Sequence, residues 1–136
     1  MTSTITRTAA AALIAATLGA AASPALAGGS ISLTYIPQNQ KQARAVQAGL
    51  LIYSIVNDVK GGASIRQTGK NNSGAIGQNG KGNLGIIHQE GRGHSGTLQQ
   101  TGYGNAFGIF QFGKKTRADV NQAGNGNTGA VFQWGW

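Results

Sequence analysis

The spacing of apolar residues changes twice after residue 27, and each spacing predicts a different element. Between residues 28 and 37, Ile31, Leu33 and Tyr35 alternate with polar residues, which is typical of an extended strand. Pro37 ends this pattern, because proline cannot donate a hydrogen bond to a β-ladder. We expect this segment to form either one short strand or a flexible leader.

A helical spacing follows from about residue 38 to residue 59. Ala43, Val46, Leu50 and Tyr53 fall three or four residues apart. An adjoining apolar row consists of Leu51, Ile55 and Val59. The pattern predicts an amphipathic helix that the glycines at 61 and 62 terminate. Its broad apolar stripe and sparse charge favour packing against protein, with a membrane-surface helix as the alternative.

From residue 63 to residue 136 the chain repeats every 11 residues, in seven copies. Each copy carries an aliphatic residue, a glutamine two positions later and a glycine two positions after that. The aliphatic residues are Ile65, Ile76, Ile87, Leu98, Ile109, Val120 and Val131. The glutamines are Gln67, Gln78, Gln89, Gln100, Gln111, Gln122 and Gln133. Five positions after the first six glutamines stand Asn72, Asn83, His94, Asn105, Thr116 and Asn127.

This repeat predicts an all-β fold. The aliphatic and glutamine positions lie two apart, so in a strand they share one face, and the Gly-x-x-Asn segment tolerates the backbone angles of a tight turn. Two units form one coil, and stacked coils bury the shared face. The expected fold is a strand-turn-strand β-solenoid of seven 11-residue strands, about three and a half coils, preceded by one amphipathic helix.

Stacking places like residues above like residues. Alternate strands then carry two inward columns of glutamines, whose amides both donate and accept along the stacking axis. Phe107 at a small position and Thr116 at an Asn position predict locally looser packing there. Seven strands leave an unpaired edge, and residues 131–134 carry neither proline nor charge. We expect the C-terminal edge to be open for polymerisation and the helix to be able to cover the other end.

The outward positions predict two surface features. The last two coils carry an aromatic patch, which could be exposed or covered by the helix; it consists of Phe110, Phe112, Phe132 and Trp134. Successive turns bring three cations into one column, here called the basic ridge; it consists of Lys70, Arg92 and Lys114. Such a ridge either favours acidic polymers or forms a solvated edge that limits sideways aggregation.

The first 27 residues are typical of a signal peptide. Arg7 precedes an apolar run too short to span a bilayer, and Ala25-Leu26-Ala27 follows Pro24, which predicts export and cleavage after Ala27. The domains are then a signal peptide at 1–27, an N-terminal segment at 28–62 containing the helix, and repeats at 63–136. The formal net charge of +8 favours contact with polyanions without selecting one.

The segment Ala63-x-Ile65-x-Gln67-x-Gly69-x-x-Asn72-x-Gly74-x-x-x-Gln78 closely resembles the curlin repeat of curli amyloid fibre subunits. The resemblance covers residues 63–136 and implies a secreted structural subunit. Such subunits pass an outer-membrane secretion pore, polymerise with themselves and other curli subunits at the bacterial cell surface, and support adhesion and biofilm matrix. The segment after the signal peptide would be recognised by that pore. Glycine replaces alanine after most of the asparagines, which departs from the family pattern.

Other functions have weaker support. Three acidic residues, two histidines and no cysteine provide no constellation for catalysis, so we expect no enzyme, no cofactor and no metal site. The main alternative is a monomeric solenoid that binds a polysaccharide or another surface ligand. A nucleic-acid binder has charge in its favour but no recognisable module, so no specific nucleic acid is expected.

Overall fold

A computed structural model describes residues 28–57, 59 and 62–136. Its elements are β1 (Ser30–Tyr35), α1 (Gln40–Val56), β2 (Ala63–Lys70), β3 (Ser73–Asn79), β4 (Leu84–Arg92), β5 (Ser95–Thr101), β6 (Ala106–Lys114), β7 (Arg117–Ala123) and β8 (Thr128–Gly135). The proposed signal peptide lies outside the described residues.

Strands β2 to β8 build the predicted solenoid. Sheet A has the order β1-β8-β6-β4-β2, and sheet B has the order β3-β5-β7. Within each sheet the repeat strands are parallel, and every residue pairs with the one 22 positions later, as Gln67 does with Gln89. This register is two repeat units. The all-β solenoid of seven repeat strands with one preceding helix is therefore confirmed.

The core between the sheets comes from the aliphatic positions of the repeat. Ile87, Leu98, Ile109 and Val131 are buried, with Phe107 and Ala118 beside them. Phe107 does not loosen the stack: its ring lies over Gly129, where an added Cβ would come within 2.5 Å of it. The pairing of β6 with both neighbours continues through this position without a bulge. The expected looser packing at Phe107 was wrong, because a glycine in the neighbouring coil provides the space.

Helix α1 is shorter than the predicted span of 38–59. It begins after Asn39, whose side chain accepts a hydrogen bond from the backbone N–H of Gln42 at 2.9 Å, and it ends at Val56. The helix lies across the outer face of sheet A. Leu50 is buried there against Ile86 and Ala106. The helix thus covers a face of the solenoid and not one of its ends.

Strand β1 corrects the expectation of an open C-terminal edge. It pairs antiparallel with β8, from Ser30 opposite Gly135 to Tyr35 opposite Ala130. The alternating residues of this segment do form a strand, and that strand occupies the edge of sheet A at the C-terminal end. The edges of sheet A are therefore β1 and β2, while β3 and β7 are the edges of sheet B.

Candidate functional site

The inward glutamines form two directional columns. In sheet A, each side-chain nitrogen donates to the amide oxygen of the next glutamine along the stack: Gln67 to Gln89 at 2.7 Å, Gln89 to Gln111 at 2.8 Å and Gln111 to Gln133 at 2.8 Å. In sheet B, Gln78 donates to Gln100 at 2.9 Å and Gln100 to Gln122 at 2.8 Å. All seven glutamines lie in these columns, and all of the donation points towards the C-terminal end.

The side-chain nitrogen of most of these glutamines donates a second hydrogen bond. The same nitrogen donates to a backbone carbonyl 16 residues earlier, as in Gln89 to Ser73 at 2.8 Å and Gln111 to Ser95 at 2.9 Å. Both N–H groups of an interior glutamine are therefore used, and its oxygen accepts from the preceding amide. Among the described residues, no buried side-chain nitrogen or oxygen lacks a partner. This satisfies the requirement that buried polar groups be hydrogen-bonded.

The asparagines form similar columns in the turns. Asn83 accepts from the backbone N–H of Asn105 at 3.0 Å and donates to the carbonyl of Gly102 at 3.0 Å. Asn105 repeats this arrangement with Asn127 and Gly124. Asn72 does the same in the other turn column, where the next residue is His94. Each asparagine therefore joins its turn to the turn of the next coil.

His94 and Thr116 continue the column in which they replace asparagine. The Nδ1 atom of His94 accepts from the backbone N–H of Thr116 at 3.3 Å and lies 2.8 Å from its hydroxyl, and Nε2 lies 3.2 Å from the carbonyl of Glu90. Because Nδ1 accepts, Nε2 carries the proton and donates to Glu90. Both side chains are buried. The expectation of loose packing at Thr116 was therefore also wrong.

The glycines after the glutamines allow the turns to stack closely. Gly102 has φ +116°, and a Cβ there would lie 2.0 Å from the carbonyl oxygen of Gly124 in the next coil. Gly69, Gly80 and Gly91 show the same clash with the next glycine. A side chain at these positions would separate the coils, which explains the glycine in each repeat that has a further coil stacked on it.

The repeat residues at the N-terminal end of the stack have no coil above them. Ile65 belongs to the inward aliphatic column, yet 43% of its surface is exposed, whereas Ile87 and Ile109 are fully buried. Gln67 is exposed as well, and its oxygen accepts no hydrogen bond from a described residue. The end formed by β2 and β3 thus presents apolar surface and amide acceptors that interior coils bury.

At the C-terminal end, a strand outside the repeat covers one sheet only. In sheet A, the amide nitrogen of Gln133 donates to the hydroxyl of Ser32 in β1 at 3.3 Å. In sheet B, β7 is the edge, and the side-chain nitrogen of Gln122 has no partner among the described residues. The two ends are therefore complementary: donors point outward at one and acceptors at the other.

Three of the four rings of the aromatic patch are half-buried, and only Trp134 is exposed. The rings stack along sheet A, Phe110 on Phe132 at 4.9 Å and Phe112 on Trp134 at 5.8 Å between centroids. Tyr53 of α1 meets Phe110 edge-on, and Leu33 of β1 lies opposite Phe132. The helix and β1 thus cover most of the surface that the sequence alone left open.

Tyr53 is a contact that the repeat pattern did not reveal. Its hydroxyl lies 2.6 Å from Nδ1 of His88 on the outer face of sheet A. Burial raises the pKa of Tyr53, an effect that nearby Arg66 partly opposes. Only the helical spacing of Tyr53 with Leu50 and Val46 indicated that it would face protein.

The basic ridge forms as the register requires. Lys70 pairs with Arg92 and Arg92 with Lys114, and all three side chains are exposed. Arg117 does not join this column. Its Nε donates to the carboxylate of Asp119 at 2.7 Å, and this hydrogen bond lowers the pKa of Asp119.

The described residues show no group of three or more His, Cys, Asp or Glu side chains arranged to hold a metal ion. His88 and His94 instead bond to Tyr53 and Thr116. Within the described part of the chain, no helix has the length and apolarity required to cross a bilayer. The chemistry that this arrangement supports is the stacking of identical β-coils.

Comparison with known proteins agrees with this geometry. Residues 62–91 match the family model of the curlin associated repeat. No curated protein and no solved structure gives a significant match to the chain. The matched segment contains β2, β3 and all but the last residue of β4. It includes Gln67 and Gln89, the first two members of one glutamine column, and the same 11-residue period continues to residue 136. The chain therefore contains a curlin associated repeat.

Proposed function

We propose that this chain is a secreted structural subunit that polymerises into extracellular curli-type amyloid fibres at the bacterial surface, where the fibres support adhesion and biofilm matrix. The observation that carries the proposal is the unfinished N-terminal end of the stack. Ile65 and Gln67 belong to inward columns but are exposed there, and β2 is an edge strand without proline. A second copy stacked on this end would bury both side chains and continue both ladders.

The polarity of the glutamine columns supports head-to-tail growth. Because amide donors point outward at the C-terminal end and acceptors at the N-terminal end, unlike ends complement one another. Like ends would place donor against donor or acceptor against acceptor. Repeated head-to-tail contact produces an open filament, since nothing in this arrangement closes it into a ring.

The proposed partners follow from the same role. They are other copies of this chain, other curli subunits and an outer-membrane secretion pore that would admit the chain after cleavage at Ala27. The basic ridge of Lys70, Arg92 and Lys114 is suited to acidic extracellular polymers, because its three cations lie about 4.8 Å apart along the fibre axis. The fibre itself requires neither a cofactor nor catalysis.

The test uses a charge at the exposed end. Ile65→Lys should still fold, since the side chain is 43% exposed in the monomer, but stacking would bury an unpaired ammonium group at a cost of several kcal/mol. Ile55→Lys is the matched control, because Ile55 is 78% exposed on α1 and lies outside the repeat strands. Thioflavin T fluorescence and electron microscopy should detect fibres from the unmodified protein and Ile55→Lys, and none from Ile65→Lys.

Two results would contradict the proposal. The first is an unmodified protein that remains a soluble monomer, which would favour the ligand-binding solenoid. The second is Ile65→Lys forming fibres at the same rate as Ile55→Lys, which would exclude the N-terminal end as a growth surface.

A further inference from the structure

The number of strands in the two sheets constrains how a second copy can stack. Sheet A contains four repeat strands, β2, β4, β6 and β8, whereas sheet B contains three, β3, β5 and β7. The chain alternates between the sheets at every repeat, so β7 lies at a level between β6 and β8. At the C-terminal end, the next vacant level therefore belongs to sheet B, beside β7.

Resting on the proposed polymerisation, we propose that each added copy is rotated by half a turn about the fibre axis, so that its β2 stacks on β7 and its β3 stacks on β8. Sheet A of one copy then continues sheet B of its neighbour. The stack proceeds as though the 11-residue repeat of one chain ran on into the next.

The alternative is stacking without rotation, with β2 of the added copy placed directly on β8. This leaves one strand level of sheet B empty at every junction. The unpaired edges would be β7 on one side and β3 of the added copy on the other, each seven residues long. Buried backbone groups without partners are costly, and the half-turn leaves none of them unpaired.

The strand directions permit the half-turn. Repeat strands within a sheet are parallel, and the turns reverse the chain between the sheets. Rotation by half a turn exchanges the positions of the two sheets and reverses their strand directions together. An added β2 therefore runs parallel to β7, as β5 already does.

The side-chain columns continue in the same arrangement. Gln67 of the added copy lies over Gln122, whose side-chain nitrogen lacks an onward acceptor among the described residues. Gln78 of the added copy lies over Gln133. Both contacts join an outward donor to an outward acceptor, as within the columns of a single copy.

Strand β1 occupies the place that β3 of the added copy would take. Its Ser32 hydroxyl accepts from Gln133 at 3.3 Å, a longer contact than the 2.7–2.9 Å bonds between glutamines. It also runs antiparallel to β8, unlike every repeat strand. Strand β1 thus acts as a replaceable cover that must leave β8 before the next copy completes its contact.

Cysteine pairs distinguish the two arrangements, because the chain has no cysteine of its own. Thr68 and Ala123 each follow a column glutamine and point outward, but they lie in different sheets at opposite ends of one copy. The half-turn places Thr68 of the added copy beside Ala123, about 4.8 Å away between backbones, which suits a disulfide. Stacking without rotation places Thr68 beside Trp134 instead.

Fibres of Thr68→Cys/Ala123→Cys, oxidised after assembly, should yield covalent ladders of two, three and more copies on a non-reducing gel. Fibres of Thr68→Cys/Trp134→Cys should remain monomeric on the same gel. The reverse result, or cross-linking in neither variant, would overturn the half-turn while leaving polymerisation intact. An unmodified protein that forms no fibres would instead overturn the proposed function.

A second pair tests the displacement of β1. Tyr35 and Ala130 are paired across β1 and β8, so Tyr35→Cys/Ala130→Cys should fix the cover in place when oxidised. The oxidised protein should show at least a tenfold longer lag in fibre formation than the same protein after reduction. Equal lags in the two states would show that β8 is not a surface that the next copy needs.

Discussion

The interior glutamines should contribute far more to stability than the glutamine at the open end of the same column. Gln111 is fully buried and takes part in three hydrogen bonds: to Gln133 at 2.8 Å, to the carbonyl of Ser95 at 2.9 Å and from Gln89 at 2.8 Å. Gln67 is exposed and makes one, to Gln89 at 2.7 Å. The same substitution at the two sites therefore removes different numbers of contacts.

The magnitudes follow from these contacts. Each lost hydrogen bond costs about 1 kcal/mol net, so Gln111→Ala loses about 3 kcal/mol, and the cavity adds about 1 kcal/mol. Gln67→Ala should lose about 1 kcal/mol, since its neighbours remain in contact with solvent. The free energy of unfolding should therefore differ between the two variants by about 3 kcal/mol.

Urea unfolding of freshly purified monomer, followed by far-ultraviolet circular dichroism, measures this difference. The midpoint for Gln111→Ala should fall well below that for Gln67→Ala, with unchanged slopes. Midpoints that agree to within the error of the fits would refute the reasoning. The interior column would then contribute no more than a solvated amide does.

Three further variants test other parts of the stack. Gly102→Ala should lower the free energy of unfolding by more than about 3 kcal/mol, because a Cβ at φ +116° meets the Gly124 carbonyl. Gly104→Ala should lower it by about 1 kcal/mol, because Gly104 has φ +66° and open space around it. Thermal melts of the two variants that coincide would contradict this. His94→Asn should leave the free energy of unfolding, measured in urea, nearly unchanged, because asparagine restores the turn column. His94→Ala should lower it by about 2 kcal/mol. Equal losses in the two variants would exclude a hydrogen-bonding role for the His94 side chain. Burial raises the pKa of Tyr53, so the folded state holds the phenol proton more tightly than the unfolded state does. The resulting contribution to the free energy of unfolding is complete below pH about 10 and is lost as pH rises through the folded pKa. Tyr53→Phe should remove that part of the decline in the urea midpoint at alkaline pH, and an unchanged decline would refute this.

The solenoid could be predicted from the sequence because the length of the repeat determines the register in which its strands pair. An 11-residue repeat with glutamine, aliphatic and glycine positions at fixed offsets permits one in-register stacking, and the pairing of Gln67 with Gln89 follows. The outward position of the basic ridge follows from the same arithmetic. The conserved offsets within one chain thus act as a set of distance restraints.

The placement of β1 and α1 could not be predicted in the same way. Alternation at Ile31, Leu33 and Tyr35 indicates a strand but carries no information about which strand it pairs with. Its pairing with β8 depends on tertiary contacts such as Leu33 opposite Phe132. The helix likewise contacts the sheet through Leu50 and Tyr53, which lie outside the repeat. Non-repeating segments have no other copies in the chain to compare with, and it was the comparison between copies that determined the strand pairing of the repeats.

The central claim is that copies of this solenoid stack end to end without breaking the glutamine columns. Helical reconstruction of the fibres by electron cryo-microscopy tests this most directly. The account predicts strands about 4.8 Å apart along the fibre axis, with the columns of Gln67 and Gln78 continuing across every junction between copies. Fibres whose strands are rearranged out of the 22-residue register, or copies joined through α1 with interrupted columns, would contradict it.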